Sequence, residues 1–327
     1  MPPASIPQSN VDRLVAVFGG SGFLGRHIVR VLCKRGYRVR VAVRRPDLAG
    51  HLQPLGRVGQ VHAVQANLRY PASVQAAARN ADVIINLVGI LYERGAQRFT
   101  TVQAEGPGLV AEAAAQAGAR MIHVSAIGAD PDSPSLYART KALGEQAVRE
   151  AAAQATIFRP SIVFGPEDDF FNRFAAIARL SPVLPLIAGG RTRFQPVFVA
   201  DVAEAVGRVA DGTAPEGLIY ELGGPDVKTF KELMQFVLAS TNRRRLLVPI
   251  PSRLAEFQAW FLQFMPKPLL TPDQVRLLKF DNVVSAAAEQ EGRSLHGLGI
   301  EPHSIAAIVP SYLWRFRKTG QFRRRAA

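Results

Sequence analysis

The chain has 327 residues, of which 48% are hydrophobic and 20% charged, and its formal net charge is +14. This length predicts one large domain or two modest ones with a sizeable core. A single cysteine, Cys33, excludes a disulfide framework, and six scattered histidines indicate no metal site. Residues 1–13 predict no signal peptide, and no uncharged apolar run reaches the ~18 residues of a spanning helix. We therefore expect a soluble or peripheral protein in a reducing compartment.

The positive charge is concentrated towards the C-terminus, where residues 241–327 contain 14 Lys and Arg against 6 Asp and Glu. Three interpretations stay open: a solvated basic surface, contact with an anionic membrane surface, or contact with an acidic protein partner. Nucleic acid is not favoured as a partner, because the chain has no recognised binding module and no interleaved aromatic-basic pattern.

A glycine-rich turn near the N-terminus is the strongest motif. Residues 15–18 predict a buried strand, residues 20–25 match G-x-G-x-x-G, and an apolar-periodic helix follows. Such a turn brings backbone N–H groups and a helix N-terminus to a pyrophosphate, so it predicts dinucleotide binding. The residues assigned to the pyrophosphate are Gly19, Ser21, Gly22, Phe23, Leu24 and Gly25.

The second predicted strand, over residues 37–43, ends in Arg44 and Arg45 about 20 residues past the turn. An acidic side chain here would bind the ribose hydroxyls of NAD, whereas guanidinium groups suit a 2′-phosphate. The pair therefore predicts NADP(H) as the cofactor, and an ordinary surface Arg pair is the alternative.

Further strands are predicted over residues 60–66, 81–89, 120–125 and 155–160, and helices alternate with them. This alternation predicts an α/β fold with a doubly wound parallel sheet of the Rossmann type. Residues that follow the strands are assigned to the cofactor groove. They are Asn67 and Leu68 at the adenine, and Leu87, Val88, Gly89, Pro160 and Ile162 along the groove.

Three polar residues form a candidate catalytic set. Ser125 ends the fifth strand, and Tyr137 and Lys141 stand at i and i+4 on a helix predicted over residues 137–153. We expect the ammonium to lower the pKa of the phenol, Ser125 to bind a carbonyl, and Tyr137 to transfer a proton during hydride transfer. Tyr137 and Lys141 are also assigned to cofactor binding.

We predict three regions: an NADP-binding Rossmann domain over residues 1–165, a smaller lobe over 166–310 interleaved with the core, and a basic aromatic tail over 311–327. In the lobe, Asp201 is expected to cap or orient a helix, and Thr229 to cap the next one. An amphipathic helix over residues 253–265 either packs on the domain or binds a membrane or partner. Its apolar face consists of Leu254, Phe257, Trp260, Phe261 and Phe264.

These motifs resemble the extended or atypical short-chain dehydrogenase/reductase superfamily over residues 12–240. The matching motifs are the glycine turn, Ser125, Tyr137-x-x-x-Lys141 and residues 159–165. Within that superfamily the chain resembles the NADPH-binding accessory-subunit family of respiratory complex I and its bacterial relatives. The motifs of this narrower resemblance are residues 123–129, 195–197, 270–278 and 281–285.

The resemblance implies a tightly held, mainly structural NADPH, subunits of complex I as partners, and a cytoplasmic position on the inner face of a bacterial cytoplasmic membrane. Two residues depart from the superfamily pattern: Gln103 stands where reductases carry Asn, and Asn67 where Asp is usual. The favoured function is an accessory subunit or assembly factor of complex I. The alternative is a soluble NADP-dependent reductase, epimerase or dehydratase that uses Ser125, Tyr137 and Lys141 on a carbonyl or sugar-nucleotide substrate.

Overall fold

The computed structural model describes residues 10–265, 268, 270–318 and 320. The strands are β1 (Leu14–Phe18), β2 (Arg38–Val43), β3 (Val61–Gln65), β4 (Val83–Asn86), β5 (Arg120–Val124), β6 (Thr156–Pro160), β7 (Val163–Phe164), β8 (Val183–Ile187), β9 (Arg193–Phe194), β10 (Val197–Phe198), β11 (Ile219–Leu222), β12 (Lys228–Thr229) and β13 (Leu246–Ile250). The α-helices are α1 (Phe23–Lys34), α2 (Pro71–Ala78), α3 (Gly106–Ala117), α4 (Leu136–Ala151), α5 (Phe171–Leu180), α6 (Val199–Asp211), α7 (Phe230–Thr241), α8 (Ser252–Leu262), α9 (Pro272–Leu277), α10 (Ala286–Gln290), α11 (Ile305–Ile308) and α12 (Pro310–Leu313).

A seven-stranded parallel sheet in the order β3-β2-β1-β4-β5-β6-β11 forms the centre of the molecule. Strand β1 is buried on both faces: Val15 and Val17 face one apolar core with α1 and α6, while Ala16 and Phe18 face a second core with α2 and α3. Helices on both faces of a parallel sheet explain why its central strands read as continuous apolar runs. The predicted doubly wound α/β fold is confirmed.

The chain order reverses direction between β1 and β4, because β2 and β3 extend to one side of β1 and the later strands to the other. In open α/β sheets a cleft forms at this switch point, outside the carboxyl ends of the strands. The glycine turn after β1 lies at that point.

A third, largely aromatic core lies in the C-terminal part of the chain, where α5 and α7 pack together around Phe164, Phe171 and Phe230. A smaller cluster joins α8 to α9 through Ala255, Ala259 and Val275. Within the described residues, no helix combines the length and the apolar character needed to cross a bilayer.

The predicted cap at Thr229 is confirmed, and of the two roles expected for Asp201 the capping role is excluded. Thr229 caps α7 in a capping box with Glu232, and Cys33 is buried, which raises its thiol pKa to about 11. Asp201 does not cap α6; it lies buried in the first turn and accepts hydrogen bonds from the backbone N–H and Nδ1 of His303. The helical region between β4 and β5 consists of a π-helical segment, Thr100–Glu105, and α3, which has Pro107 in its first turn.

Gly144 controls how closely α4 approaches this π-helical segment. A Cβ atom at Gly144 would lie 2.1 Å from the carbonyl oxygen of Gln103 and 3.2 Å from Pro107. Because the nearest atom is backbone, a side chain here would force the segment and the helix apart. The position of α4 therefore depends on this glycine.

We predict that Gly144→Ala lowers the free energy of unfolding by about 1–3 kcal/mol, as overpacking does elsewhere, although alanine favours a helix. Gly50→Ala is the matched control, since a Cβ atom there meets nothing within 4 Å. Denaturant unfolding of both variants measures the effect. Equal stability of the two variants would contradict this account of the packing.

Candidate cofactor and active site

The turn between β1 and α1 is shaped for close approach of a ligand to the backbone. Gly19 has φ of +79°, and a Cβ atom at Gly25 would lie 2.6 Å from backbone atoms of Gly19 and Gly20. The N-cap of α1 is Gly22, so no side chain occupies the first amide groups of the helix. These features fit a pyrophosphate held by N–H groups at a helix N-terminus.

The other residues assigned to the groove follow the carboxyl ends of β3, β4 and β6, and so belong to the same edge of the sheet. Asn67 is half-buried, and its side-chain oxygen accepts a hydrogen bond from the N–H of Arg69. Leu68 is buried and packs against Gly106. Leu87 and Val88 are half-buried beside the glycine turn, where Val88 lies against Gly19. Pro160 ends β6, and Ile162 is half-buried two residues later.

Arg44 and Arg45 are both exposed beyond the end of β2, but their surroundings differ. Arg45 forms an ion pair with Asp47 at 2.7 Å and two further hydrogen bonds with the same carboxylate. Arg44 has no partner among the residues that the structure describes. A 2′-phosphate at this place would therefore meet the Arg44 guanidinium, which has no described partner, and the Arg45 guanidinium, which is already paired with Asp47.

Two of the candidate catalytic residues, Tyr137 and Lys141, lie close together near the end of β5. The Lys141 ammonium nitrogen lies 6.0 Å from the centroid of the Tyr137 ring and donates a hydrogen bond to the carbonyl oxygen of Val124 at 3.4 Å. Ser125 follows Val124 directly, and its hydroxyl oxygen is buried without a hydrogen-bond partner in the described part of the chain. A buried hydroxyl with no partner indicates a place for a polar group of a ligand.

The electrostatics of this set differ from the prediction. Burial and the nearby Asp273 carboxylate raise the pKa of the Tyr137 phenol to about 12, and burial lowers the pKa of Lys141 to about 8. The prediction that Lys141 lowers the pKa of the phenol is therefore wrong. The cost of burying a phenolate exceeds the attraction of an ammonium 6.0 Å from the ring.

Gln103 is fixed by its own hydrogen bonds. Its side-chain oxygen accepts from the N–H of Ile90 at 2.9 Å, and its side-chain nitrogen donates to the hydroxyl of Thr140 at 3.4 Å. The same oxygen and the Lys141 nitrogen would each lie 3.4 Å from a Cβ atom at Gly89. Gln103 therefore stands beside Lys141 and orders the loop after β4.

A buried histidine that our sequence analysis did not assign to the site lies under this set. His123 is 1% exposed, and burial, together with Lys141, lowers its pKa to about 3. Its Nδ1 lies 3.3 Å from the side-chain nitrogen of Asn86, which fits an Nδ1 that accepts a hydrogen bond. The ring is thus neutral at physiological pH, and Lys141 is the titratable cation at the centre of the site.

Asp273 is a second residue that the analysis of the sequence did not assign to the site. It lies on α9, yet its carboxylate contacts the beginning of α4 next to Tyr137. The sequence contains one relevant signal, the capping pattern Thr271-x-x-Gln274, which predicts that a helix begins at this point. It does not predict that Asp273 contacts α4.

The chain is similar in sequence to a known family and to several known proteins. The model of the NAD dependent epimerase/dehydratase family matches residues 15–223. NADH dehydrogenase [ubiquinone] 1 alpha subcomplex subunit 9, mitochondrial, from Arabidopsis thaliana is 37% identical over 96% of this chain and 80% of its own length. Ceramide reductase from Caulobacter vibrioides is 39% identical over 73% of this chain and 74% of its own length.

The solved structure of the NADPH-dependent quinone oxidoreductase QOR2 from Escherichia coli, complexed with NADPH, shares the fold. Its TM-score is 0.72 at 20% identity, and the match covers 92% of this chain and 99% of that one. The subunit 9 relatives are named as mitochondrial, so the predicted position on the inner face of a bacterial cytoplasmic membrane is wrong. The chain belongs to the NAD dependent epimerase/dehydratase family.

Proposed function

We propose that this protein is an NADPH-holding subunit of respiratory complex I in which the cofactor is mainly structural. The observation that carries the proposal is the extent of the match to the Arabidopsis subunit. The family model ends at residue 223, whereas the similarity to that subunit covers 96% of the chain and so includes the C-terminal lobe. A shared cofactor domain alone would not extend so far.

The site chemistry supports retention of the cofactor over turnover. With its pKa at about 12, the Tyr137 phenol keeps its proton at neutral pH and can donate a hydrogen bond, but it cannot readily act as a base. Gln103 is engaged with Ile90 and Thr140. When bound, the dinucleotide would supply hydride chemistry. The residues of this site would mainly hold it: Lys141 and the Tyr137 hydroxyl would bind a ribose, and Ser125 would lie near the nicotinamide.

The proposal specifies NADPH because of Arg44. This side chain lies beyond the carboxyl end of β2, where an adenosine 2′-phosphate would stand, and no described residue neutralises it. Arg45, paired with Asp47, would help to hold the turn.

We also propose a peripheral contact of this protein with an anionic membrane surface through α8. The alanines of α8 pack inwards, whereas its large apolar side chains are exposed, so the interpretation that these large side chains pack on the domain is wrong. The exposed side chains are Leu254 (48%), Phe257 (62%), Trp260 (52%), Phe261 (55%) and Phe264 (71%). Arg253 on α8 and Arg276 on the neighbouring helix α9 are exposed, and both would complement anionic headgroups.

The alternative function is a reductase. The unpartnered Ser125 hydroxyl and the similarity to a ceramide reductase favour it, since a carbonyl substrate needs a hydrogen-bond donor there. The Tyr137 hydroxyl separates the two functions, because only the reductase requires it for each reaction cycle.

For the subunit, we expect Tyr137→Phe to leave co-purification with NADH:quinone oxidoreductase activity unchanged. NADPH affinity should fall by no more than roughly fivefold, since one hydrogen bond is lost. The measurement uses a tagged chain in mild detergent, with the wild type as control. Absence of the wild-type chain from the complex, together with a carbonyl reductase activity that Tyr137→Phe abolishes, would contradict the proposal.

For the cofactor, Arg44→Glu should weaken NADPH binding roughly ten- to a hundredfold, the loss expected for a charge-assisted hydrogen bond, and should affect NADH far less. Arg38→Glu, at the opposite end of β2, is the charge-matched control. Titration of both nucleotides by fluorescence tests this. Equal losses for NADPH and NADH would count against a 2′-phosphate contact.

For the membrane contact, Phe257→Ser combined with Trp260→Ser should reduce binding to vesicles of phosphatidylcholine and phosphatidylglycerol roughly tenfold or more, because two aromatic side chains lose burial. Leu180→Ser is the control, since Leu180 is 82% exposed on α5. Co-sedimentation measures the bound fraction. Binding that neither substitution changes would show that α8 is not the contact.

A further inference from the structure

The C-terminal lobe places a carboxylate at the N-terminus of the helix that carries Tyr137 and Lys141. Asp273 accepts hydrogen bonds from the Ser135 hydroxyl at 2.8 Å, the Leu136 N–H at 2.7 Å and the Tyr137 N–H at 3.1 Å. Ser135 is the N-cap of α4 and the other two are its first residues. Asp273 thus satisfies donors that a helix start leaves free, and it faces the positive end of the helix dipole.

The carboxylate is itself held in place. Thr271 and Gln274 form a reciprocal capping box around it, and Val275 is fully buried against Ala255 and Ala259 of α8. The position of Asp273 is therefore set by the packing of α9 on α8, not by the flexibility of its own side chain.

The charge of Asp273 matters as well as its hydrogen bonds. A helix N-terminus favours a nearby anion, so by itself the first turn of α4 would favour ionisation of the Tyr137 phenol. A carboxylate at the same place opposes this, and Asp273 is, after burial, the second cause of the raised phenol pKa. The phenol remains a hydrogen-bond donor, which suits a cofactor that is held and not turned over.

We propose that Asp273 is a positioning residue for the cofactor site, which fixes the turn of α4 that presents Tyr137 and Lys141 and places a carboxylate at the start of that helix. The inference rests on the proposed function in that NADPH is the ligand of the site. It assigns to the C-terminal lobe an indirect part in cofactor binding, through a contact between residues 136 positions apart in the sequence.

The test replaces Asp273 with Asn in the full chain, which removes the charge and keeps the shape. Asp281→Asn is the matched control, because Asp281 is another carboxylate of this lobe that accepts hydrogen bonds from a backbone N–H and a side chain, here the backbone N–H and Nε of Arg193, and no hydrogen bond among the described residues joins it to α4. Incorporation of 3-fluorotyrosine at position 137 gives a ¹⁹F signal that reports the titration of that phenol. NADPH affinity is measured on the same proteins by fluorescence.

For Asp273→Asn we expect a lower titration midpoint of the phenol and roughly tenfold weaker NADPH binding, because a first turn of α4 that is held less firmly presents Tyr137 and Lys141 less precisely. Asp281→Asn should change neither. Asp273→Glu keeps the carboxylate but displaces it, so the titration midpoint of the phenol should stay near that of the wild type while NADPH binding weakens. If Asp273→Asn does not fold, Asp273→Glu provides the test instead.

A lower melting temperature for Asp273→Asn, with an unchanged midpoint and an unchanged NADPH affinity, would overturn the inference and leave Asp273 a structural cap only. An equal shift in Asp281→Asn would also overturn it. The phenol titration needs neither complex I nor NADPH. A shifted midpoint in a chain that does not join complex I would therefore reject the proposed function and retain the effect of Asp273.

Discussion

The burial of the first turns of α4 is the constraint on which the behaviour of the site depends. Lys141 is 6% exposed and lies under the loop that carries Gly89, and the Tyr137 phenol lies 6.0 Å away, measured from its ring. Removal from water disfavours the charged form of both groups, so their pKa values move in opposite directions, to about 8 and about 12. The phenol therefore keeps its proton at neutral pH and can donate a hydrogen bond, whereas the ammonium titrates close to neutral pH.

The C-terminal lobe contributes to this constraint and is not a simple addition to the Rossmann core. Asn282 donates to the carbonyl oxygen of Ile127 at 3.0 Å, and its side-chain oxygen accepts from the Ser161 hydroxyl at 2.7 Å. Both contacts join the lobe to segments that follow the sheet strands β5 and β6. Together with the contact of Asp273 with α4, they join the lobe to the segments that carry the candidate site.

The parts of the molecule that could be predicted from sequence are those set by local patterns. Each strand, each helix, the glycine turn, and the pair Tyr137 and Lys141 is encoded in a short stretch of sequence. The parallel topology then brings the carboxyl ends of the strands to one edge of the sheet. The contact of Asp273 with α4 could not be predicted, because it joins residues 136 positions apart. The phenol pKa was predicted in the wrong direction, because a sequence pattern shows the neighbouring charge but not the burial that outweighs it. For the same reason the amphipathic pattern of α8 identified an apolar face but not that this face is exposed.

The central claim is that the site retains NADPH instead of cycling it. The most direct measurement is the nucleotide content of the protein after purification without added cofactor, with NADP(H) and NAD(H) assayed separately in the denatured extract. The account predicts NADP(H) close to one molecule per chain, which persists through extended dialysis. A protein that emerges without nucleotide, or that carries mainly NAD(H), would contradict it.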